Sequence, residues 1–235
     1  MPSGISIIHL DDDIIVIDKP PFVDTAIVKD GRAGSVAEQL LKLHPELSKV
    51  GRDANEAGLL NRLDRETSGL VLAARNQPAF EKLLKDMKAG KMEKKYLAVV
   101  SGVPDPIGDI RLPIGHMKKN RGKMAVEGGR RKIRGRSMEA RTAYRRLSLA
   151  GGYSVLEVSI TAGVMHQIRI HLSGAGWPIV GDLKYGGPRS ASMNRQLLHS
   201  WKLSLPHPAT GEIMVFEAPL PADMFAFISS RGLKI

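Results

Sequence analysis

The sequence contains no cysteine among its 235 residues. This absence excludes disulfides, thiolate metal sites and a cysteine nucleophile. No apolar run reaches the roughly 18 residues that a membrane-spanning helix requires, and no apolar stretch follows basic residues at the start of the chain. We therefore expect no membrane segment and a cytoplasmic location.

The motifs of several common enzyme classes are also missing. The sequence has no phosphate-binding glycine loop ending in Lys-Ser/Thr, no G-x-G-x-x-G after a strand and no G-x-S-x-G turn. His166 and His171 lie on different faces of any helix, and the three aspartates at 11–13 have no downstream ligand pattern. We therefore expect no metal site. Without a nucleotide-binding motif, the sequence also gives little support to nucleotide hydrolysis.

Acidic residues are scarce in one segment, which explains the net charge of +11. Twelve lysines and arginines but only two acids lie between His116 and Arg146, with glycines between them. This pattern predicts a mobile basic hairpin or arm at about 116–138 that binds a phosphate backbone by counterion release. The alternative is a solvated loop that serves only solubility.

The hydrophobic pattern predicts strands mixed with helices, and 43% of the residues are hydrophobic, enough for a sizeable core. Strands are expected at 14–17, 70–74, 94–100, 153–161, around 203 and at 213–216. Helices are expected from Ser35 to Pro45, from Asn76 to about Gly90, over 166–173, where a strand is the alternative, and over 222–229. We predict one α+β domain over 1–235, with a mixed, mainly antiparallel central sheet flanked by helices.

The segment from Asn61 to Leu70 is a polar turn between core elements. In this turn, Asp64 lies between Arg62 and Arg65, directly before a strand that is predicted to be buried on both faces. A carboxylate held rigidly in this way is a candidate for acid, base or nucleophilic catalysis. The structural alternative is that Asp64 only satisfies turn amides or pairs with Arg62.

Four segments of the sequence resemble motifs of the RluA-type family of RNA pseudouridine synthases. Residues 62–70 are similar to the family's R-L-D-x-x-T-S-G-L, and residues 94–100 to its K-x-Y-x-A-x-V. Residues 166–172 resemble its H-Q-I-R-V-H-L, and residues 178–186 its P-I-x-G-D-x-x-Y-G. The similarities run in order from about residue 14 to about residue 220.

The resemblance implies an isomerase that detaches uracil from C1′ of a uridine and rejoins it through C5, without a cofactor. It implies that Asp64 is the catalytic aspartate and Arg169 its basic partner, which favours the ionised carboxylate. It also implies that Tyr96 is the active-site tyrosine, which stacks on the base or assists removal of the C5 proton. An ordinary core tyrosine is the alternative. Whether Asp64 attacks C1′ or takes a proton from the sugar stays open.

The implied partner is a structured ribosomal or transfer RNA with a flipped uridine. The predicted RNA-binding residues are Arg62, Lys118, Lys119, Arg121, Lys123, Arg130, Arg131, Lys132, Arg134, His166 and Gln167. Residues 1–13 are too short for a separate RNA-binding module, so we expect the catalytic domain and its arm to select the RNA. We also expect a monomer.

Three motifs depart from the family pattern, at four positions. Asn61 replaces a histidine, Val164 and Met165 replace an arginine and a threonine, and Phe22 stands in the K-P-x-G motif. We interpret these changes as altered substrate contacts rather than lost chemistry. A non-catalytic RNA-binding protein on the same scaffold is the alternative. A glycosidase that releases free uracil is another.

Overall fold

The computed structural model describes residues 4–28, 32–120, 122–129, 132–160, 163–190 and 194–235. In chain order the elements are β1 (Ser6–Leu10), β2 (Ile14–Lys19), α1 (Val36–Leu43), a 3₁₀ helix (Pro45–Lys49), β3 (Ser68–Ala74), α2 (Gln77–Lys88), β4 (Glu93–Ser101), β5 (Ile107–Ile110), β6 (Ile114–His116), β7 (Met124–Val126), β8 (Thr142–Ala150), β9 (Tyr153–Ile160), α3 (Gln167–Gly174), β10 (Leu198–Pro206), β11 (Ile213–Glu217) and α4 (Ala222–Ser230). The chain divides into two compact units, Met1–Lys94 with Ser200–Pro219, and Lys95–His199 with Leu220–Ile235.

The first unit is built on strands in the order β1-β2-β3-β10, and β11 pairs with β10. The β1–β2, β2–β3 and β10–β11 pairs are antiparallel, with Ile17 opposite Val71 at the centre of the β2–β3 pair. Every residue of β3 is buried. This agrees with its nearly continuous apolar sequence, which has no polar face to turn towards water.

The helices of the first unit begin where the sequence predicts. Ser35 caps α1 with a capping box, in which its hydroxyl accepts from the Glu38 N–H while the Glu38 carboxylate accepts from the Ser35 N–H. The side chain of Asn76 accepts from the Ala79 N–H and caps α2. Both helices bury an apolar stripe and leave a polar face in solvent.

The second unit contains strands in the order β4-β9-β8-β5 and the separate hairpin β6-β7. The β5–β8, β6–β7 and β8–β9 pairs are antiparallel, and β8 bulges between Arg146 and Ser148 against β9. Helix α4 is tied to the segment before β10 by a two-pronged ion pair. In this pair the buried Arg195 donates from Nε and Nη2 to the Asp223 carboxylate at 2.6 and 2.7 Å.

The predicted class is confirmed, because the chain is α+β with a mainly antiparallel sheet and helices. Each predicted strand and helix is present, including the short helix α3, although Thr161 lies outside the described residues. Strands β1, β5 and β8 and the 3₁₀ helix were not predicted, and β6 and β7 lie in the predicted basic hairpin or arm. That residues 1–235 form a single domain stays a prediction.

Candidate functional site

The Asp64 turn connects two segments that pair with each other. The N–H of Leu60 donates to the Leu72 carbonyl at 2.8 Å, so the chain enters the turn alongside β3 and leaves it as β3. The Thr67 N–H donates to the Asp64 carbonyl at 3.0 Å and closes the turn. Asp64 itself is half-buried, while Arg62 is exposed. The carboxylate therefore lies in a tight turn at the start of a buried strand, as predicted.

The residue before the aspartate is held by a buried hydroxyl group. The Thr25 hydroxyl donates to the Leu63 carbonyl at 2.8 Å and accepts from the Leu63 N–H at 3.1 Å. Thr25 is only 3% exposed and Leu63 only 8%. One side chain thus satisfies both backbone groups of the residue that precedes Asp64. Sequence patterns did not point to Thr25, because no short motif links it to a position 38 residues away.

The residue after the aspartate is held by a buried ammonium group. Lys19 is fully buried and donates from Nζ to the carbonyls of Pro20, Val23 and Arg65 at 2.9, 2.8 and 3.2 Å. The N–H of Phe22 also donates to the Arg65 carbonyl, at 2.8 Å. A buried charge of this kind requires several acceptors, and these acceptors fix the backbone on the other side of the turn.

Phe22 occupies the position of the glycine in the family's K-P-x-G motif and has a φ of +67°. This left-handed conformation is the one that glycine adopts readily and a residue with a Cβ adopts at a cost of roughly 1–2 kcal/mol. The Arg65 guanidinium lies 5.9 Å from the centre of the Phe22 ring. Phe22 therefore adopts a backbone conformation that favours glycine and places an aromatic ring beside the turn.

Asn61, which replaces a histidine of the motif, forms hydrogen bonds to the backbone of β3. Its Oδ1 accepts from the Leu72 N–H at 2.8 Å, and its Nδ2 donates to the Leu70 carbonyl at 3.3 Å. These bonds continue the pairing of the incoming segment with β3. The asparagine at this position therefore has a role in the local structure.

Gly69 explains the glycine of the T-S-G-L motif. It has a φ of +108°, and a Cβ at this position would lie 2.1 Å from the Ser200 carbonyl oxygen. Any side chain would push β3 away from β10, so only glycine fits here.

Tyr96 lies in β4, at the start of five consecutive buried residues that end at Val100. Its side chain is 6% exposed. Strand β4 thus provides a rigid support for the aromatic ring. Its predicted roles, stacking on the base or removing the C5 proton, stay predictions.

Arg169 lies on α3 and binds a partner that was not predicted from the sequence. Its Nε and Nη2 donate to the two carboxylate oxygens of Asp182 at 2.7 and 2.8 Å, and both residues are buried. Its Cζ lies 5.2 Å from the centre of the Tyr185 ring. The G-D-x-x-Y-G motif, which contains both Asp182 and Tyr185, was the available signal. The predicted partnership of Arg169 with Asp64 stays a prediction.

His166 and Gln167 form the start of α3. His166 is the N-cap, with a left-handed φ of +57°, and its Nδ1 lies 2.8 Å from the Tyr185 hydroxyl oxygen. Gln167 is buried and donates from Nε2 to the Arg141 carbonyl at 2.8 Å, while its Oε1 accepts from the Val164 N–H. The amide of Gln167 therefore orders the protein here. The RNA contacts expected of both residues stay predictions.

The predicted basic hairpin is formed by β6, β7 and the segment that follows them. Segment 132–138 runs beside β6, since the N–H of Lys118 donates to the Lys132 carbonyl and the N–H of Arg134 to the His116 carbonyl. Four predicted RNA-binding residues in it are exposed and Lys123 is half-buried; the exposed ones are Lys118, Lys119, Lys132 and Arg134. Arg121, Arg130 and Arg131 lie outside the described residues.

The base of the hairpin packs on an apolar cluster beside α3. The cluster consists of Ile114, Met124, Ala140, Ile170 and Tyr185, with Val126 and Val164 against it. Val164, which replaces the arginine of the family motif, is thus part of the packing, while the neighbouring Met165 is 39% exposed. The cluster connects the hairpin to the helix that carries Arg169.

A group of three metal-ligand-type side chains lies elsewhere in the first unit. Oxygens of Asp11 and Asp13 and a nitrogen of His207 lie within 4.8 Å of one another. The N–H groups of Ala209 and Thr210 donate to Nδ1 of His207. The Nε2 of His207 lies 3.3 Å from a carboxylate oxygen of Asp11.

Among the described residues, no helix has the length and apolar character needed to cross a membrane.

Comparison with known proteins finds a match to the family model "RNA pseudouridylate synthase" over residues 13–174. The chain is 43% identical over 192 residues to an uncharacterized RNA pseudouridine synthase of Chloroflexus aurantiacus, covering 81% of this chain and 58% of that protein. It is 34% identical over 244 residues to ribosomal large subunit pseudouridine synthase D of Neisseria meningitidis, covering 99% and 63%. The chain therefore spans about six tenths of the length of these curated relatives.

The solved structures that are similar to this one include two human proteins. Human RNA pseudouridylate synthase domain containing 4 matches with a TM-score of 0.75 and 23% identity, over 98% of this chain and 94% of that chain. Human RNA pseudouridylate synthase domain containing 1 matches with a TM-score of 0.71 and 26% identity, over 93% and 86%. The first likeness confirms the fold.

Proposed function

Since the chain belongs to the family of RNA pseudouridylate synthases, we propose that it isomerises specific uridines in structured RNA to pseudouridine. The observation that carries this proposal is the setting of Asp64. Buried groups of Thr25 and Lys19 fix the backbone on both sides of this motif aspartate. A reaction that depends on one carboxylate requires that carboxylate in a fixed position.

In the proposed reaction, the bond between N1 of uracil and C1′ of the ribose breaks, and a bond between C5 and C1′ forms. The C5 proton is lost and N1 takes up a proton, so the reaction needs no oxidant and no cofactor. Asp64 supplies the carboxylate, acting either on C1′ or as a base on the sugar. The matched motif positions support Tyr96 as the aromatic residue beside the base and Arg169 as the basic partner of Asp64.

The proposed substrate is folded RNA with an accessible uridine. The cost of extruding that uridine, about a few kcal/mol, would be offset by phosphate contacts from the exposed lysines and arginines of the basic hairpin. A relative is named for ribosomal large subunit modification, so we propose ribosomal RNA as the first substrate to test and transfer RNA as the second. The proposed location is the cytoplasm, where such RNAs are modified.

The test is incubation of the protein with ribosomal and transfer RNA labelled with tritium at uridine C5. Tritium release and pseudouridine in the digested RNA are expected, and an Asp64→Asn variant should give neither. Tritium release is specific because isomerisation removes the C5 proton. RNA binding without release by the native protein would favour the non-catalytic binder, and free uracil would favour the glycosidase. Either result would refute the proposal.

A further inference from the structure

The hydroxyl group of Tyr185 joins the basic hairpin to the start of α3. It accepts a hydrogen bond from the Met124 N–H in β7 at 2.8 Å and lies 2.8 Å from Nδ1 of His166. The ring of the same tyrosine lies 5.2 Å from the Arg169 guanidinium carbon. Tyr185 is only 4% exposed. One buried side chain therefore contacts the hairpin, the helix N-cap and the motif arginine.

The backbone of Tyr185 is fixed to the same surroundings. Its N–H donates to the carbonyl and to Oδ1 of Asp182 at 3.1 and 3.3 Å, and its carbonyl accepts from the Ser173 hydroxyl at 2.6 Å. Asp182 is the residue that holds the Arg169 fork. Tyr185 and Arg169 thus both donate hydrogen bonds to the same buried carboxylate.

The hairpin is short, and the Tyr185 hydroxyl binds a buried backbone group within it. Strands β6 and β7 are three residues each and pair mainly with one another. Met124 is fully buried, so its N–H has no access to water, and the Tyr185 hydroxyl is its acceptor. A short hairpin of this kind is marginally stable by itself. The apolar cluster packs the hairpin against α3, and the Met124–Tyr185 bond is a directional contact between them.

We propose that Tyr185 is a positioning residue that sets the basic hairpin in register with the helix that carries Arg169. RNA bound by the hairpin would then meet α3 in one orientation instead of several. This inference rests on the proposed function, since it assigns the hairpin to RNA. The hydroxyl group makes the connection, whereas the ring belongs to the core.

The test variant is Tyr185→Phe, which removes the hydroxyl and keeps the ring in the cluster and beside Arg169. Tyr153→Phe is the matched control, because it removes a tyrosine hydroxyl from β9 in the same unit while its ring keeps its edge-on packing against Phe227. For Tyr185→Phe we expect RNA affinity to fall about 5- to 30-fold, as removal of one buried hydrogen bond would cause. The salt dependence of binding should not change, because every phosphate-binding side chain remains. The control should bind RNA as the native protein does.

Amide hydrogen exchange provides a readout that needs neither RNA nor turnover. In the native protein, the Met124 amide should exchange much more slowly than that of Gly122, which is exposed and bonded only to the Asn120 side chain. The protection of Met124 should disappear in Tyr185→Phe and persist in the control. A native Met124 amide that exchanges as fast as Gly122 would overturn the proposal even if the variant failed to fold.

A double-mutant cycle separates coupling through the hairpin from general damage. When Lys118 and Lys132 are both changed to alanine, Tyr185→Phe should weaken RNA binding by much less than it does in the native background. Equal effects in the two backgrounds would overturn the coupling. If the native protein releases no tritium, the proposed function fails, while exchange at Met124 and RNA affinity still decide whether Tyr185 sets the hairpin.

Discussion

Replacing Thr25 by valine should displace Asp64 while leaving the shape of the core unchanged. Valine has nearly the volume of threonine but lacks the hydroxyl that serves both the N–H and the carbonyl of Leu63. Because both residues are buried, water does not replace the missing bonds. Each buried group left unpaired costs about 1–3 kcal/mol, so for the two groups the unfolding free energy should fall by about 2–6 kcal/mol unless the turn moves to relieve it. Movement of the turn displaces the carboxylate.

The kinetic effect follows from this displacement. A shift of about 1 Å in a reacting group costs on the order of 100-fold in rate, so kcat for tritium release should fall about 10- to 100-fold. KM should change little, because the basic hairpin and its charges are untouched. The assay is tritium release at saturating RNA, at a temperature where thermal unfolding shows that each variant is folded.

Two variants make this prediction refutable. Thr25→Ser keeps the hydroxyl and should restore most of kcat. Asn76→Ala removes the α2 cap, which should cost about 0.5–2 kcal/mol of stability, but does not touch the turn and should keep native kcat. The reasoning is wrong if Thr25→Val retains native kcat, or if serine is as damaging as valine.

Three further predictions concern other groups. Changing Lys118, Lys119, Lys132 and Arg134 to alanine should weaken RNA binding and reduce the slope of log K against log salt by about 0.7–0.9 for each phosphate that the variant no longer neutralises; an unchanged slope in filter binding would remove the hairpin from RNA recognition. Asp182→Asn keeps the shape of the side chain but weakens its two hydrogen bonds with the Arg169 guanidinium. We expect kcat to fall at least about tenfold and RNA affinity to stay native. A native kcat would show that the Arg169 guanidinium needs no carboxylate partner. Hydrogen bonds from the N–H and hydroxyl of Ser35 lower the pKa of Glu38. This pair therefore stabilises the protein above the ordinary glutamate pKa, and the stabilisation is lost as the pH falls through the lowered value; thermal melts of Glu38→Gln should show a smaller loss of stability on acidification than the native protein does.

The elements that the sequence predicted have strong local signals. Ser35 and Asn76 are cap residues before periodic apolar stretches, and β3 is an uninterrupted apolar run. Strand β8 was missed because its Arg145 and Arg146 belong to the basic segment. In the structure Arg145 lies opposite Glu157 of β9, and its Nη2 lies 3.3 Å from that carboxylate. The neutralising acid comes from the next strand, so a local charge count cannot find it.

In the candidate site, too, some residues could be predicted from local sequence patterns and others could not. The motifs made Asp64, Tyr96 and Arg169 candidates because these residues lie in short recognisable patterns. Thr25 and Asp182 act through contacts between residues that are 38 and 13 positions apart. No periodicity in the sequence encodes contacts of this kind.

The junction of Gly69 with Ser200 has a consequence for how this protein is made. The Ser200 hydroxyl donates to the Leu70 carbonyl across a separation of 130 residues, so the strand that flanks β3 leaves the ribosome long after β3 itself. At the usual pace of ribosomal synthesis the delay is roughly 7 to 26 s. In the nascent chain, the β3 strand that follows the Asp64 turn therefore waits for its β10 neighbour until residue 200 has been made.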